Sequence, residues 1–222
     1  MQFIFHTDAK NKTLNIEEEL HKYIFKVRRH NIEKELYFRN LKDKNIYKYK
    51  VLSINRRRTT LKLIDFEELI IEPSKKLHIG WCLIDFKSIE KNIASLNELG
   101  VTKITFIDCE YSQKYKINYE KLNKLLINSS QQSGRSNIIE LDNCDNLDDF
   151  IKENKNSYMF NFSKNSIDNK KNDIDTIILG CEGGFSKNEI SKFEQNKIVG
   201  IDSNIILRSE TAIITIASKL LV

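Results

Sequence analysis

The chain has 222 residues, of which 40% are hydrophobic and 30% charged, with a formal net charge of +5. This length allows one large domain or two small ones with a real core, and no apolar run approaches the ~18 residues of a membrane span. Residues 1–70 contain 16 Lys and Arg against 10 Asp and Glu, so the basic excess lies wholly in the N-terminal third. Such a surface suits a polyanion, and the alternative is the solvated surface of a lysine-rich chain.

The amino terminus lacks the layout of a signal peptide, which predicts a soluble cytoplasmic protein. The four cysteines are Cys82, Cys109, Cys144 and Cys181. They form no C-x-x-C pair and show no metal-ligand spacing, so we expect reduced thiols and no metal site.

The first 70 residues contain neither glycine nor proline, and the only proline is Pro73. This break in composition predicts two domains, 1–71 and 72–222. Several short strands and a helix at 18–27 favour a small β-barrel for the first domain. Its strands are predicted at 2–6, 35–39, 46–54 and 59–64.

Two basic clusters lie in this first domain. Lys26, Arg28 and Arg29 stand near the end of the predicted helix, and Arg56-Arg57-Arg58 sits in a turn after a strand. Because arginine forks match phosphate oxygens in bidentate geometry, we favour RNA contact for these clusters over an ordinary solvated turn.

From residue 77 onward strands and helices alternate, which predicts an α/β domain with a mostly parallel sheet. Strands are predicted at 77–84, 103–108, 137–141, 158–162, 175–179 and 198–199. Helices are predicted at 88–99, 119–131, 147–153, from about 187, and at 210–221, and residues 163–173 are expected to form a polar loop.

A glycine loop follows the strand at 175–179. Three of the seven glycines of the chain, Gly180, Gly183 and Gly184, lie in it. Ser186 and Glu189 have the spacing of a capping box, which starts a helix immediately after the loop. Strand, glycine loop and capped helix place backbone N–H groups at a strand's carboxyl end, where open α/β sheets bind ligands. The alternative is a tight turn without a ligand. No G-x-G-x-x-G or P-loop motif follows any strand, so neither a standard dinucleotide site nor a P-loop is expected.

Four motifs resemble those of the RsmE family of 16S rRNA (uracil-N3)-methyltransferases, in the SPOUT superfamily. Residues 180–186 (G-C-E-G-G-F-S) resemble G-P-E-G-G-F-S, and residues 207–212 (L-R-S-E-T-A) resemble I-L-R-x-E-T-A. Residues 97–101 (N-E-L-G-V) are similar to T-E-L-G-V, and residues 132–135 match Q-S-G-R. Together they cover about residues 85–215.

The resemblance implies an α/β fold with a SPOUT-type knotted C-terminal domain and a small N-terminal PUA-like β-barrel that helps to hold RNA. It also implies a homodimer that uses S-adenosylmethionine and methylates N3 of a uridine in the decoding region of 16S rRNA, in the 30S subunit. Two alternatives stay open, the first because it shares every cofactor feature and the second because Cys181 replaces the family's proline and Gln131 its acid. One is a SPOUT enzyme with another RNA target, and the other is a non-catalytic RNA-binding ribosome-assembly factor.

The predicted site residues come from these motifs, from the segments next to them and from the two basic clusters. Arg208 is predicted to polarise a uracil carbonyl or hold a phosphate, and Glu210 or Glu182 to accept the N3 proton. Cofactor contacts are predicted for Leu179, Gly180, Glu182, Gly183, Gly184, Gly200, Ile201, Ile206, Leu207, Thr211 and Ala212. RNA contacts are predicted for Arg28, Arg29, Arg56, Arg57, Arg58 and Arg135, the last of which alternatively meets the dimer partner.

Overall fold

The computed structural model of the chain describes residues 2–222. These residues form two compact units. The first consists of the residues up to Glu72 together with Ser130–Asn137, and the second of Pro73–Ser129 together with Ile138–Val222. Over residues 2–222 no helix has the length and apolar character needed to cross a membrane.

The first unit is built on a five-stranded mixed sheet with the order β1-β3-β4-β5-β2. Its strands are β1 (Ile4–Phe5), β2 (Thr13–Glu17), β3 (Leu36–Arg39), β4 (Asn45–Ile54) and β5 (Arg58–Glu68). Only the β1–β3 pair is parallel, and β1 and β2 are the two edges, so the predicted barrel is a curled half-barrel.

Two elements of this unit differ from the sequence prediction. β2 was missed, because its sequence offers only two buried apolar residues, Leu14 and Ile16, in strict alternation. The predicted helix at 18–27 is an α-helix, α1 (Glu18–Lys22), that continues as a π-helical turn over Tyr23–Val27.

The second unit contains a six-stranded sheet with the order β11-β9-β10-β6-β7-β8, and every pair in it is parallel. The strands are β6 (His78–Cys82), β7 (Lys103–Ile107), β8 (Glu140–Cys144), β9 (Tyr158–Phe160), β10 (Thr176–Leu179) and β11 (Ile198–Val199). The prediction of an α/β fold with a parallel sheet is therefore confirmed.

Five helices belong to this alternation of strands and helices: α2 (Phe86–Leu99), α3 (Tyr119–Ser133), α4 (Leu147–Glu153), α5 (Lys187–Ser191) and α6 (Ser209–Leu221). α2 ends at Gly100, which takes a left-handed conformation with φ 102°, as glycine commonly does after the last turn of a helix. α6 packs against α2 and buries Ala212, Ile213, Ile216, Ala217 and Leu220, as its apolar sequence predicts.

Three predictions for the second unit are wrong in detail. The strand placed at 137–141 is Glu140–Cys144, an edge strand whose polar residues gave no apolar signal. The polar loop at 163–173 contains a 3₁₀ turn at Ile167–Lys170 with Ile167 fully buried. Cys82 and Cys109 are joined in a disulfide, so the expectation of four free thiols fails for this pair. The bond is possible because Cys82 ends β6 and Cys109 follows the neighbouring strand β7.

Candidate active site

Three neighbouring strands of the parallel sheet end level with one another. Val199, the last residue of β11, pairs with Phe160, the last of β9, which pairs with Leu179, the last of β10. Since parallel strands present their carboxyl ends at one edge, the segments that follow β9, β10 and β11 converge there.

These segments enclose a cavity of about 290 Å³, close to the lower end of the ~300–1,000 Å³ typical of small-molecule sites. Its walls are mostly apolar side chains and backbone, with a few serines and one asparagine. The lining residues are Phe160, Asn161, Phe162, Ser163, Leu179, Gly180, Cys181, Gly184, Phe185, Ile201, Ser203, Ile205, Ile206, Leu207, Ser209 and Ala212.

The glycine loop is a closed turn. The Gly184 N–H donates to the Cys181 carbonyl at 3.0 Å, and Gly184 has φ 70°, in the left-handed region that glycine adopts without strain. A Cβ on Gly180 would lie 3.2 Å from the Gly184 backbone, a contact so tight that the turn would have to shift by a few tenths of an ångström to admit a side chain.

The predicted capping box anchors this loop to α5. Ser186 Oγ accepts from the Glu189 N–H at 3.1 Å, and Glu189 Oε2 accepts from the Ser186 N–H at 2.8 Å. The second oxygen of the buried Glu189 carboxylate accepts from the Glu110 N–H at 3.0 Å, which ties the loop after β7 to α5. Cys181 is buried and its Sγ donates to the Tyr111 carbonyl at 3.0 Å, and this burial raises the pKa of the thiol.

The second turn, before α6, is fixed beside the first by Ser209. Its hydroxyl donates to the Gly180 carbonyl at 2.8 Å and accepts from the Trp81 indole N–H at 3.1 Å. All three groups are buried or lie at the wall of the cavity. The two turns that the sequence singled out are therefore side by side.

The third wall depends on a close crossing of two chain segments at Gly200. A Cβ there would lie 2.8 Å from the Asn161 carbonyl and 3.0 Å from the Ser163 backbone. The Gly200 N–H donates to Asn165 and its carbonyl accepts from Ile167, so the crossing is also hydrogen-bonded.

The structure brings together seven of the eleven predicted cofactor residues as cavity lining, and the other four do not line the cavity. Those that line it are Leu179, Gly180, Gly184, Ile201, Ile206, Leu207 and Ala212. Glu182 and Thr211 are exposed, Gly183 lies against the Tyr111 side chain, and Gly200 forms the crossing.

The predicted catalytic residues lie next to the cavity in sequence but do not line it. Arg208 is exposed and caps α6 through its carbonyl, which accepts from the Thr211 and Ala212 N–H groups. Within residues 2–222 it forms no ion pair with Glu182 or Glu210, so its guanidinium is available to a ligand. Glu210 is half-buried in the first turn of α6.

Sequence reasoning missed the segment after β9 and the Trp81–Ser209 bridge. Phe160, Asn161, Phe162 and Ser163 have no motif, and the only signal was their place at the end of a predicted strand. Trp81 is the single tryptophan and is fully buried, but its partner lies 128 residues away.

In the first unit, the predicted RNA-binding arginines are mostly exposed. Arg28 donates to the Tyr23 hydroxyl at 2.8 Å, and Arg29 lies next to it with φ 50°. Arg56 and Arg57 occupy the β4–β5 turn, and Arg58 pairs with Glu17 at 3.1 Å.

Arg135, also in the first unit, differs from the other five. It is 5% exposed, its Nε donates to Asn137 Oδ1 at 2.6 Å, and burial lowers its pKa to about 10 while Glu72 opposes the shift. A direct RNA contact would need this guanidinium at the surface, so that role stays a prediction.

The residues that form the parallel sheet and the cavity at its strand ends match the model of a known family, the RNA methyltransferase domain. The family model with that description matches residues 72–221. The ribosomal RNA small subunit methyltransferase E of Helicobacter pylori is 34% identical over 222 residues, covering 98% of each chain. The chain belongs to the ribosomal RNA small subunit methyltransferase E family.

Solved structures agree with this assignment. A methyltransferase of Legionella pneumophila with bound cofactor SAM is 25% identical, with a TM-score of 0.76 over 99% of this chain and 95% of that one. A ribosomal RNA small subunit methyltransferase E of Neisseria gonorrhoeae bound to S-adenosyl methionine has a TM-score of 0.76 over 98% of this chain and 95% of that one. At 13% identity the second likeness concerns the fold.

Proposed function

We propose that this chain transfers a methyl group from S-adenosylmethionine to N3 of a decoding-region uridine of 16S rRNA, acting on the 30S subunit. The observation that carries the proposal is the cavity at the ends of β9, β10 and β11, whose two turns are locked together through Ser209. Family membership supplies the substrate class, an RNA of the small ribosomal subunit.

The residues of the cavity fit this cofactor. Apolar side chains suit an adenine ring, and the backbone of the two turns can hydrogen-bond it and the ribose, as we propose for Leu179, Gly180, Ile201, Ile206 and Leu207. Ala212 lines the cavity near the amino end of α6, a 13-residue helix whose dipole favours a carboxylate there.

S-adenosylmethionine supplies an activated methyl group when bound. The work of the protein is to align the uracil N3 with that methyl group and to exclude water, since orientation alone removes much of the barrier of such a transfer. The N3 proton must leave, and Glu210 and Glu182 are the carboxylates of the two turns that can accept it. Arg208 lies between them in sequence and can stabilise charge on a uracil carbonyl or hold the phosphate.

The remaining parts of the proposal concern the rest of the molecule. The exposed arginines of the first unit bind rRNA, with that unit acting as a PUA-like domain over residues 1–71. Three large apolar side chains at the cavity rim, Phe162, Ile205 and Ile206, are 74–79% exposed, which supports their burial against a second copy in a homodimer. The tight crossing at Gly200 supports a knotted chain path. The enzyme acts in the cytoplasm, where ribosomes assemble.

Methyl transfer tests the proposal directly. The full-length protein is incubated with labelled S-adenosylmethionine and 30S subunits from cells that lack the modification, and the product is mapped by mass spectrometry. We expect one 3-methyluridine in the decoding region. Methylation of another base or of a ribose would show an enzyme with another target, and cofactor binding without transfer would show a non-catalytic assembly factor.

Arg208→Ala tests the catalytic assignment. Because Arg208 is exposed and makes no ion pair in the described part of the chain, the variant should fold and bind S-adenosylmethionine normally. Its kcat should fall about 100-fold or more, the loss typical of removing one group that stabilises developing charge. Arg208→Lys, which keeps the charge, should recover part of the rate. Normal turnover by Arg208→Ala would show that Arg208 has no catalytic role.

A further inference from the structure

The β7–α3 loop, residues 108–118, carries an aromatic and basic surface beside the cavity. Of the eight tyrosines, only Tyr111 and Tyr115 are exposed, and both lie in this loop, at 54% and 43% exposure. Lys114 and Lys116 flank Tyr115, are exposed, and take part in no ion pair within residues 2–222. None of these four residues has a role in the proposed methyl transfer.

The base of the loop is fixed to the second unit. The disulfide to Cys82 holds Cys109, and the Ser112 N–H donates to the Cys109 carbonyl at 3.0 Å. The Gln113 N–H donates to the Leu83 carbonyl at 3.3 Å. Beyond this point, Lys114, Tyr115 and Lys116 are exposed to solvent.

The same base touches the glycine loop. The Tyr111 carbonyl accepts from Cys181 Sγ at 3.0 Å, and the Tyr111 Cβ lies 3.0 Å from where a side chain on Gly183 would begin. Glu110 is held by Glu189 through its N–H and by Asn188 through its carboxylate. Since Cys181 lines the cavity, the aromatic and basic surface begins one residue away from the cavity wall.

Exposed aromatic rings that alternate with lysines are the usual platform for unpaired nucleotides, because bases stack on the rings while the ammonium groups meet phosphates. A uracil methylated at N3 presents its Watson–Crick edge, so it must be unpaired when it reacts and its neighbours in the strand are accessible. We propose that Tyr111, Lys114, Tyr115 and Lys116 bind the single-stranded ribonucleotides that flank the target base. This inference rests on the proposed function and adds a second RNA-binding element, in the methyltransferase domain itself.

Tyr115 and the two lysines give separable tests on the full-length protein. Binding is measured with a single-stranded RNA that spans the unmodified decoding region, at several salt concentrations. Tyr115→Ala should weaken binding about tenfold, the loss of one base stack, whereas Tyr115→Phe should bind like the wild type. The double variant Lys114→Gln/Lys116→Gln should reduce the slope of log K against log salt by about 1.4, since each contact to a single strand contributes about 0.7.

The matched control is Lys76→Gln/Lys155→Gln. These exposed lysines precede β6 and β9, at the opposite edge of the parallel sheet, and the control removes the same charge. It should keep the wild-type slope, and all variants should keep the wild-type affinity for S-adenosylmethionine and the wild-type melting temperature. In methyl transfer the loop variants should raise KM with little change in kcat.

Equal RNA binding and equal salt slopes for wild type and loop variants would overturn the proposal, as would an equal loss in the control. Failure of the wild type to methylate N3 of uridine is a different result, because it overturns the proposed function while the binding comparison still decides whether the loop binds RNA.

Discussion

Ser209 joins three segments that are far apart in the sequence. Its hydroxyl links the Gly180 carbonyl of the glycine loop to the Trp81 indole of β6, and its backbone begins α6. A buried donor and a buried acceptor are thus satisfied by one small side chain. This one hydroxyl therefore links the glycine loop to the turn before α6.

Ser209→Ala should therefore destabilise the protein by about 1–3 kcal/mol, because the Trp81 N–H and the Gly180 carbonyl would be left unsatisfied. Affinity for S-adenosylmethionine should fall as well, since the turns lose their fixed spacing. Urea unfolding and calorimetry measure the two effects. Ser218→Ala, a half-buried serine of the same helix, is the control and should change neither. Wild-type stability and affinity in Ser209→Ala would show that the bridge does not hold the site.

At the scale of the element, the glycines of the loop are required for different physical reasons. Gly180 is favoured by the lack of space, since a Cβ would meet the Gly184 backbone at 3.2 Å. Gly184 has nothing within 4 Å of a Cβ, but its φ of 70° is strained for any other residue. Substitution at Gly184 therefore tests the backbone conformation of the turn without a steric clash.

Gly184→Val should abolish measurable binding of S-adenosylmethionine, because a β-branched residue drives the turn out of the left-handed region and distorts the cavity wall. Gly134→Ala is the control. Gly134 lies in the first unit with φ 83°, so alanine there would have a similar conformational cost of about 1–2 kcal/mol. It should lose stability and keep the cofactor affinity. Unchanged affinity in Gly184→Val by calorimetry would contradict the assignment of the loop.

Elements with local signals were predicted well from the sequence. Asn118 caps α3 by accepting from the Lys121 N–H, and Gly100 ends α2; both are local signals of the kind that a sequence displays. Ser186 with Glu189 begins α5, as predicted. Each signal acts over three or four residues, so it can be read without the fold. β2 and β8 failed because short or edge strands expose polar residues and owe their structure to a neighbour.

At the scale of the whole molecule, the sequence predicted two regions and a site near the carboxyl terminus. It did not predict the contacts between segments that are far apart in the chain. Residues 130–137 cluster with the first unit although the chain places them within the second. Cys82 and Cys109 are 27 residues apart, and the cavity collects segments from 160 to 212. These contacts depend on the order of the strands in the sheet, which short sequence motifs do not predict.

The burial of His78 in the second unit should make the stability of the protein depend on pH. It begins β6, its ring contacts Phe150 with centroids 5.2 Å apart, and its Nε2 lies 2.8 Å from Thr105 Oγ1. Burial first and the charge of Lys103 second lower its pKa to about 4, from 6.5. As the pH falls, His78 is therefore protonated near pH 6.5 in the unfolded chain but only near pH 4 in the folded protein.

Stability should consequently be full above pH 6.5 and fall as the pH drops from 6.5 towards 4, because there the unfolded state binds more protons than the folded one. With its partial exposure allowed for, the loss between pH 7.5 and 5 should be about 1–2 kcal/mol. Urea unfolding at the two pH values measures it, and an NMR titration of the His78 ring gives the folded-state pKa. His78→Gln should be less stable at pH 7.5 but lose less between the two pH values. A folded-state pKa near 6.5, or an equal loss in the variant, would mean that the packing around β6 leaves the imidazole free to ionise.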